Sequence, residues 1–561
     1  MFLVFLLIIF LPVFFFLTGA SLISLFKFDE DESLYFSPVI ASYIICLLML
    51  LSWLLNVNRI IFLAANITFF AILFFYRIKK SFHILHSKTF LYFLFFYFTN
   101  IFIQFSMRDF GGAFWYGDWY MHYDISVYYY NNQIPESVFK FGYDYISRTP
   151  MLNILCAYFF KLFDNNDFWV YQILAAFFSS FVFFGVIMFL RTFSRSKFIY
   201  LVLSFFVCNF LFLHLLNFLV PKLLPLYFFI CAVYLLKKKL SDYQFIFFKT
   251  KYIILFSLSI TSACFTHLIY MGYFFSLFFI VAIFVLQKKI KFFLKEIFII
   301  SIIFVLPFAL WSSKFIKTNG SVSLLKSSPQ YVLAKENSFT LKKIVKSQFY
   351  NVLDTFVPAR LFKFMHFEYK INNSVKDAYN NLLRLYASTL PGGLGLILTL
   401  CLIKCLLNYN SGVFPFTGDK FILYSIIFIG ATLIFLSITI ENPGGLIQGG
   451  LCFMMLTVLS MTIINISQFI SSDALKKIKV LYTFEQLIIY CSFLIIPYFT
   501  SLDGDVANIT FKHKNNLIFL SDLTKPELFL ILSLILIIIQ QRIYFSSFLK
   551  EKICDSAQYS V

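Results

Sequence analysis

Apolar runs of about twenty residues recur along this chain from Phe2 to Tyr544, with short polar breaks between them. A hydrocarbon core about 30 Å thick takes roughly 20 apolar residues per helix, and a segment that crosses it must satisfy its own backbone hydrogen bonds. The recurrence therefore predicts an all-α polytopic membrane protein. Of the 561 residues, 60% are hydrophobic and only 13% charged, which excludes an ordinary soluble domain.

Hydropathy along the chain predicts about fifteen transmembrane helices. We place them at 2–25, 38–56, 59–76, 90–106, 167–190, 198–217, 223–236, 252–266, 268–287, 294–311, 394–408, 420–440, 449–470, 480–500 and 527–545. They divide the chain into N-terminal transmembrane helices (1–106), a first external loop (107–166), a transmembrane core (167–311), a second external loop (312–393) and C-terminal transmembrane helices (394–561).

Lysine and arginine concentrate in short loops that fall on one side of these spans, at 77–80, 191–197, 237–239, 288–291, 476–479 and 542–552. The positive-inside rule assigns that side to the cytoplasm, so loops 107–166 and 312–393 face the periplasm or exterior. We therefore expect a multi-pass protein of a bacterial inner membrane. The net charge of +19 is explained by this topology and by contact with anionic membrane lipids, without a nucleic-acid partner.

Ionisable and metal-binding residues are sparse inside the predicted spans. Glu485 and Lys404 lie near predicted span ends, which disfavours the ion or proton pathway of a transporter. The ten cysteines show neither a Cys-x-x-Cys nor a Cys/His metal spacing, so we expect no metal site and no cofactor. The polar chemistry lies instead in the external loops.

The first external loop carries a dense polar and aromatic stretch, Gly117-Asp-Trp-Tyr-Met-His-Tyr-Asp124. If residues 116–130 form a short interfacial helix, Asp118 and His122 are one turn apart on the same face. A carboxylate and an imidazole in that arrangement suit a general base that takes a proton from an acceptor hydroxyl. For Asp109 and Asp124, a role in supporting catalysis and the role of an ordinary loop carboxylate are equally good interpretations. The tryptophans and tyrosines around them are more typical of interface anchors than of substrate contacts.

These residues resemble a known pattern. The acidic residue Asp118 after an outward-going span, the helical Asp-x-x-x-His-Tyr segment and Arg148-Thr-Pro-Met-Leu152 opening an apolar helix are similar to the GT-C superfamily of integral membrane glycosyltransferases. Within that superfamily, these residues resemble the aminoarabinose and protein mannosyl transferase group. Trp119 stands where that group often has a second acidic residue, and Thr149 where it has a first proline.

The resemblance implies a GT-C arrangement of helices, with interfacial helices in the first external loop, and a polyprenyl-phosphate sugar as donor. Asp118 would be the catalytic base and His122 its partner, while Asp109 and Asp124 would contact substrate. Arg148 and Lys222 would stabilise the departing phosphate, and His267, at another outer turn, would face the same cavity. The acceptor would be an envelope glycan, a lipid or a protein on the periplasmic or external face.

Other functions remain open. A polysaccharide polymerase or ligase of the O-antigen type would use arginines of large outer loops, for which Arg360 and Arg384 are available. A flippase or transporter of lipid-linked glycans would need no covalent chemistry. Snorkelling to the interface explains Lys222 about as well as phosphate binding does, and hydrogen-bonded packing explains His267 somewhat better than a functional role.

Overall fold

The computed structural model describes residues 2–26, 28–107, 118–135, 148–192, 196–241, 250–288, 294–319, 342, 345, 349, 385–386, 389–407, 452–499 and 517–558. Across these ranges the chain is helical, with three short 3-10 segments and no strand. The prediction of an all-α protein is confirmed for this part of the chain.

The described residues up to 319 form fourteen α-helices. They are α1 (Phe2–Ile23), α2 (Glu30–Leu54), α3 (Arg59–Leu85), α4 (Lys88–Ser106), α5 (Asp118–Tyr130), α6 (Met151–Phe163), α7 (Phe168–Ser180), α8 (Val182–Thr192), α9 (Ile199–Phe206), α10 (Phe210–Asn217), α11 (Leu223–Ser241), α12 (Thr250–Thr266), α13 (Ile269–Lys288) and α14 (Leu294–Asn319). Those described later are α15 (Leu390–Leu394), α16 (Leu396–Leu407), α17 (Cys452–Phe469), α18 (Ser472–Phe499) and α19 (Pro526–Gln558).

Eight helices in the described ranges are long and apolar enough to cross a membrane, or nine if the bent α9/α10 pair is one span. This supports a multi-pass membrane protein. Shorter apolar helices cover three of the six other predicted spans, at Arg59–Leu73, Thr250–Thr266 and Ile269–Phe278. Predicted span 420–440 lies outside the described residues, and the total of about fifteen stays a prediction.

Acidic residues begin α2 at the predicted cytoplasmic end, eight residues before the predicted start of that span. The Asp29 side chain caps the helix by accepting a hydrogen bond from Glu32 N at 2.6 Å, and carboxylates in a first turn also complement the helix dipole. Glu32 then pairs with Lys238 of α11 at 2.5 Å, and Asp31 with Arg191 of α8 at 2.8 Å. This acidic start therefore joins three helices at one end of the bundle.

Helices α7 and α8 form the centre of the bundle. The most apolar window of Phe168–Thr192 is completely buried, whereas only 17% of the corresponding window of α14 is buried. Packing around the centre is largely aromatic: Phe93 stacks on Phe184 with ring centroids 4.8 Å apart, and Phe15 contacts Phe177 edge-on at 5.5 Å. Phenylalanine, which makes up 82 residues of the chain, thus provides interhelical contacts as well as lipid-facing surface.

Two helices, α5 and α6, lie within the predicted first external loop and pack side by side in parallel. His122 near the start of α5 contacts Asn153 near the start of α6, and Tyr130 at the end of α5 donates to Asp164 just after α6. The helix predicted over 116–130 is confirmed from Asp118 onward. This arrangement gives the pair one end with two helix N-termini and another with two C-termini.

The bundle also contains two helix breaks that hydropathy does not predict. Predicted span 198–217 bends by 73° at Asn209, whose side chain accepts from Phe212 N and starts α10. Between α15 and α16, Gly395 has a φ of +85°, and a Cβ there would collide with the Gln486 amide. Glu485 caps α16 by accepting from Leu396 N at 2.5 Å and Ile397 N at 3.1 Å. Glu485 lies near the middle of α18 and of its candidate span Ser472–Ile495, so its predicted place near a span end is wrong.

Candidate functional site

Helix α5 starts the site but is only partly described. Its first residue is Asp118, whose side chain lies outside the described part, as does the whole of Asp109. One turn later His122 is buried, and its Nδ1 lies 3.1 Å from Oδ1 of Asn153. Because an amide oxygen only accepts, His122 Nδ1 is the donor of this bond, and a neutral ring then has its acceptor at Nε2.

Arg148 and Asn153 flank the start of α6. The N-cap position is Pro150, which provides no side-chain hydrogen bond to the first turn of the helix. Arg148 lies half-buried two residues earlier, and Asn153 is 1% exposed in the first turn. The Nδ2 of Asn153 has no hydrogen-bond partner within the described structure, although its Oδ1 contacts His122. A buried amide donor without a hydrogen-bond partner destabilises the fold by about 1–3 kcal/mol. The Nδ2 group of Asn153 therefore indicates a position where a ligand oxygen can accept a hydrogen bond.

Two further turns bring Lys222 and His267 together. Lys222 immediately precedes α11, and His267 lies between α12 and α13. The Lys222 Nζ is 3.2 Å from His267 Nε2. Because an ammonium group can only donate, Nε2 is the acceptor of this contact. Ile269 N also lies 3.4 Å from Nδ1 of the same ring, so donors face both ring nitrogens. The prediction that these two residues share one cavity agrees with this contact, which also makes free snorkelling of Lys222 the weaker interpretation.

Electrostatics connects the two halves of the site. Burial lowers the pKa of His267 well below its usual value, and the neighbouring basic groups of Lys222, Arg148 and His122 lower it further. His267 is therefore neutral at pH 7 and lies within electrostatic range of the other three basic groups. The structure thus gathers four of the predicted site residues, contributed by the starts of α5, α6, α11 and α13.

Other residues singled out from the sequence have different surroundings. Asp124, two residues after His122, lies on another face of α5, where its charge acts on Tyr120 and Tyr123 and raises their pKa values, second to burial for Tyr120. Trp119 is 2% exposed and packs on Phe168 and Phe519, with ring centroids 5.1 and 6.1 Å away. The prediction of an interface anchor is wrong for Trp119, because the ring is enclosed by the protein.

Lysines of a different kind lie at the C-terminal end of the α5/α6 pair. Lys161 of α6 donates to Val57 O at 2.6 Å, Ser52 Oγ at 3.0 Å and Asn132 Oδ1 at 3.1 Å. Lys314 of α14 donates to Trp53 O at 2.5 Å, Asn56 Oδ1 at 2.9 Å and Asn132 O at 3.0 Å. We call Lys161 and Lys314, together with the oxygens to which they donate, the lysine seat. Burial, followed by the charge of Lys314, lowers the pKa of Lys161 to about 8.

The site at the helix starts has the composition of an anion-binding site. Helix N-termini carry a partial positive charge and exposed N–H groups, so each of the four helix starts favours a negative ligand. Arg148 and Lys222 add two permanent charges, and Asn153 adds a neutral donor. We call His122, Arg148, Asn153, Lys222 and His267 the basic cluster. A phosphate, with its oxygens close together, matches these donors chemically.

Local sequence patterns pointed to four members of the basic cluster, and Asn153 was the member that the prediction missed. Asn153 is the one amide in an otherwise apolar helix start, Met151-Leu-Asn-Ile-Leu155, which marks it as a buried polar group in need of a partner.

Within the described ranges, no three His, Cys, Asp or Glu residues are grouped so that they could hold a metal ion. No family model, curated protein or solved structure matches this chain.

Proposed function

We propose that this protein is a membrane glycosyltransferase. It transfers a sugar from a polyprenyl-phosphate-linked donor to a glycan, lipid or protein acceptor at the predicted external face. The observation that carries the proposal is the convergence of Arg148, Lys222, His122 and His267 at the starts of four helices, one of which lacks a side-chain cap. Such a site at the end of a hydrophobic bundle suits a ligand with an anionic head and an apolar tail.

The reaction places different demands on the two sides of the sugar. As the bond between the anomeric carbon and the phosphate oxygen breaks, the phosphate keeps the electron pair and gains charge. Arg148 and Lys222 stabilise that charge, and the amide of Asn153 supplies a further donor. The acceptor oxygen forms the new bond from the opposite face, with inversion, and its proton goes to a base. Asp118, at the start of α5, is the proposed base.

His122 is one helical turn from Asp118 and is proposed to orient or tune it. The contact with Asn153 Oδ1 at 3.1 Å holds the ring of His122 through Nδ1, and Nε2 is the atom proposed to act toward the carboxylate or the acceptor hydroxyl. Asp109 and Asp124 are proposed as acceptor contacts, although Asp124 lies on a different face of α5 from His122. This gives Asp124 the weaker claim of the two.

A lipid-linked glycan transporter is the second candidate, and two observations favour it. Broken helices are typical binding elements of secondary transporters, and the α9/α10 pair is bent by 73° at its break. A carboxylate within a membrane helix is also a functional-site signal, and Glu485 is one. Its three described hydrogen bonds, to Leu396 N, Ile397 N and the Tyr386 hydroxyl, explain it equally well as a structural cap.

Glycan analysis of a deletion strain separates the two candidates. The strain is complemented with the wild type, Asp118→Asn, Arg148→Gln or Glu485→Gln at equal membrane levels, and cell-envelope glycans are profiled by mass spectrometry. The proposal predicts that Asp118→Asn and Arg148→Gln lose one sugar and accumulate the unmodified acceptor outside, while Glu485→Gln retains the sugar. Accumulation of a lipid-linked glycan inside the cell in Glu485→Gln, with full activity of Asp118→Asn, would instead establish the transporter.

A further inference from the structure

The turn that carries Lys222 has a backbone conformation that its sequence disfavours. Four described non-glycine residues have positive φ, and three of them are Asn56, Asn132 and Asp164, which tolerate this region. The fourth is Leu219, with a φ of 58°. Leucine in the left-handed region carries a penalty of about 1–2 kcal/mol. The surroundings of the 218–222 turn must therefore impose the conformation.

A buried tyrosine contacts the strained residue directly. The hydroxyl of Tyr171 in α7 donates to Leu219 O at 2.9 Å, and both residues are fully buried. Three residues further on, Lys222 N donates to Val220 O at 2.8 Å across Pro221, a tight turn for which the fixed φ of proline is suited. Only this short, bonded segment separates Leu219 from Lys222.

A chain of buried amides holds the other side of the turn. Gln104 Nε2 donates to both Asn217 O and Asn217 Oδ1, at 2.9 and 3.1 Å, and so satisfies the last carbonyl of α10. Gln172 Nε2 donates to Gln104 Oε1 at 3.3 Å, and Leu520 N donates to Gln172 Oε1 at 2.9 Å. All three amide side chains are fully buried. A connected network of this kind specifies one arrangement, because breaking any bond leaves a buried group unsatisfied.

We propose that Tyr171, Gln104, Gln172 and Asn217 are positioning residues that hold the 218–222 turn in its left-handed form and so fix Lys222 against His267. The inference rests on the proposed function, in which Lys222 binds the lipid phosphate. It also gives the C-terminal segment a role, since Leu520 ends the amide chain. Loss of the Tyr171 hydroxyl should let Leu219 return to an ordinary φ and move Lys222 out of the basic cluster.

The test compares Tyr171→Phe with Tyr43→Phe in the purified full-length protein in lipid nanodiscs. Tyr43 is a matched control, because its hydroxyl also donates to a backbone carbonyl on another helix, Ile303 O at 2.7 Å, away from the turn. Lysines are acetylated with limiting acetic anhydride, and the rate at each lysine is followed by mass spectrometry, with the surface residue Lys476 as reference. Gln104→Met serves as a second variant in case Tyr171→Phe does not fold.

Tyr171→Phe and Gln104→Met are expected to raise the acetylation rate of Lys222 about three- to tenfold, the effect of one lost hydrogen bond, with Tyr43→Phe at the wild-type rate. Equal rates at Lys222 in all folded variants would overturn the positioning role. Farnesyl phosphate, with farnesol as control, tests the proposed function separately. If the variants change the rate but farnesyl phosphate does not protect wild-type Lys222, the positioning role stands and the phosphate-binding function fails.

Discussion

The two ends of the parallel α5/α6 pair both gather cations, but in opposite electrostatic settings. In the lysine seat, Lys161 and Lys314 bind carbonyl oxygens near the C-termini of α2 and α5, where the helix dipole favours positive charge. In the basic cluster, Arg148 and Lys222 lie beside helix N-termini, where the dipole opposes them. A cation at a helix C-terminus stabilises the fold, whereas cations collected at helix N-termini favour an anionic ligand.

The largest effect is expected from removing a charge at the N-terminal end. Arg148→Gln should lower the transfer rate by about 10²–10³-fold, as for loss of one donor to a developing negative charge, with little change in thermal stability. Radiolabelled sugar transfer and a thermal melt of the same preparation measure the two effects. A loss of stability without a selective loss of transfer would make Arg148 a structural residue like Lys161.

The reverse is expected at the C-terminal end. Lys161→Met removes the donor to Asn132 Oδ1 and leaves Val57 O with only the longer bond from Asn132 Nδ2 at 3.4 Å, so the free energy of unfolding should fall by about 1–3 kcal/mol. Transfer per folded molecule should be retained. Lys404→Met, at an exposed lysine of α16, is the control and should leave the melting temperature unchanged. If Lys161→Met is as stable as the wild type, the lysine seat does not stabilise the fold, and the proposed difference between it and the basic cluster is wrong.

The pH dependence of binding tests the neutral state of His267. Its pKa is lowered well below the usual value by burial and by the neighbouring cations, and a bound phosphate would raise that pKa again. Binding is then coupled to proton uptake. Affinity should be highest below the free-state pKa, fall as the pH rises from there to the bound-state pKa, and be constant above it. Isothermal titration with farnesyl phosphate should show a steeper pH dependence for the wild type than for His267→Gln, and identical profiles would contradict the placement of the anion.

The smallest effect is expected from the exposed ion pair beside the lysine seat. Arg59 and Asp164 are 3.2 Å apart, but their side chains are 41% and 53% exposed. Such pairs contribute about 0–1 kcal/mol. Arg59 Nε also donates to Lys161 O at 3.2 Å, a bond of about 0.5–1.5 kcal/mol, so Arg59→Gln should shift the melting temperature by a degree or two at most and leave transfer unchanged. A shift as large as that of Lys161→Met would mean that the seat depends on this pair.

Sequence reasoning recovered the parts of the site that depend on local pattern. Helical spacing placed Asp118 and His122 one turn apart, and Arg148 ahead of Pro150 marked the start of α6, as the structure has them. Side assignment put Lys222 and His267 at the same predicted end, and they are in contact. Each of these inferences needed only local periodicity or the charge of short loops.

Long-range packing was beyond the sequence. The helical periodicity of α5 and α6 does not show that the two helices pack in parallel. For this reason the sequence could not place Asn153 in the basic cluster or Lys161 in the lysine seat. The break at Asn209 was hidden in a continuous apolar run, although Asn before an apolar helix start is a capping signal. Glu485 was misplaced because α18 begins eight residues earlier than the predicted span at 480.

The most direct test of the account is binding of farnesyl phosphate to the purified full-length protein in nanodiscs, compared among the wild type, Lys222→Gln and Lys314→Gln. The account predicts that the wild type binds farnesyl phosphate but not farnesol. Lys222→Gln should weaken binding about ten- to a hundredfold, the effect of one charged hydrogen bond, while Lys314→Gln binds as the wild type does. Equal affinity in Lys222→Gln and the wild type, or equal binding of farnesol, would contradict the central claim that the basic cluster holds a lipid phosphate.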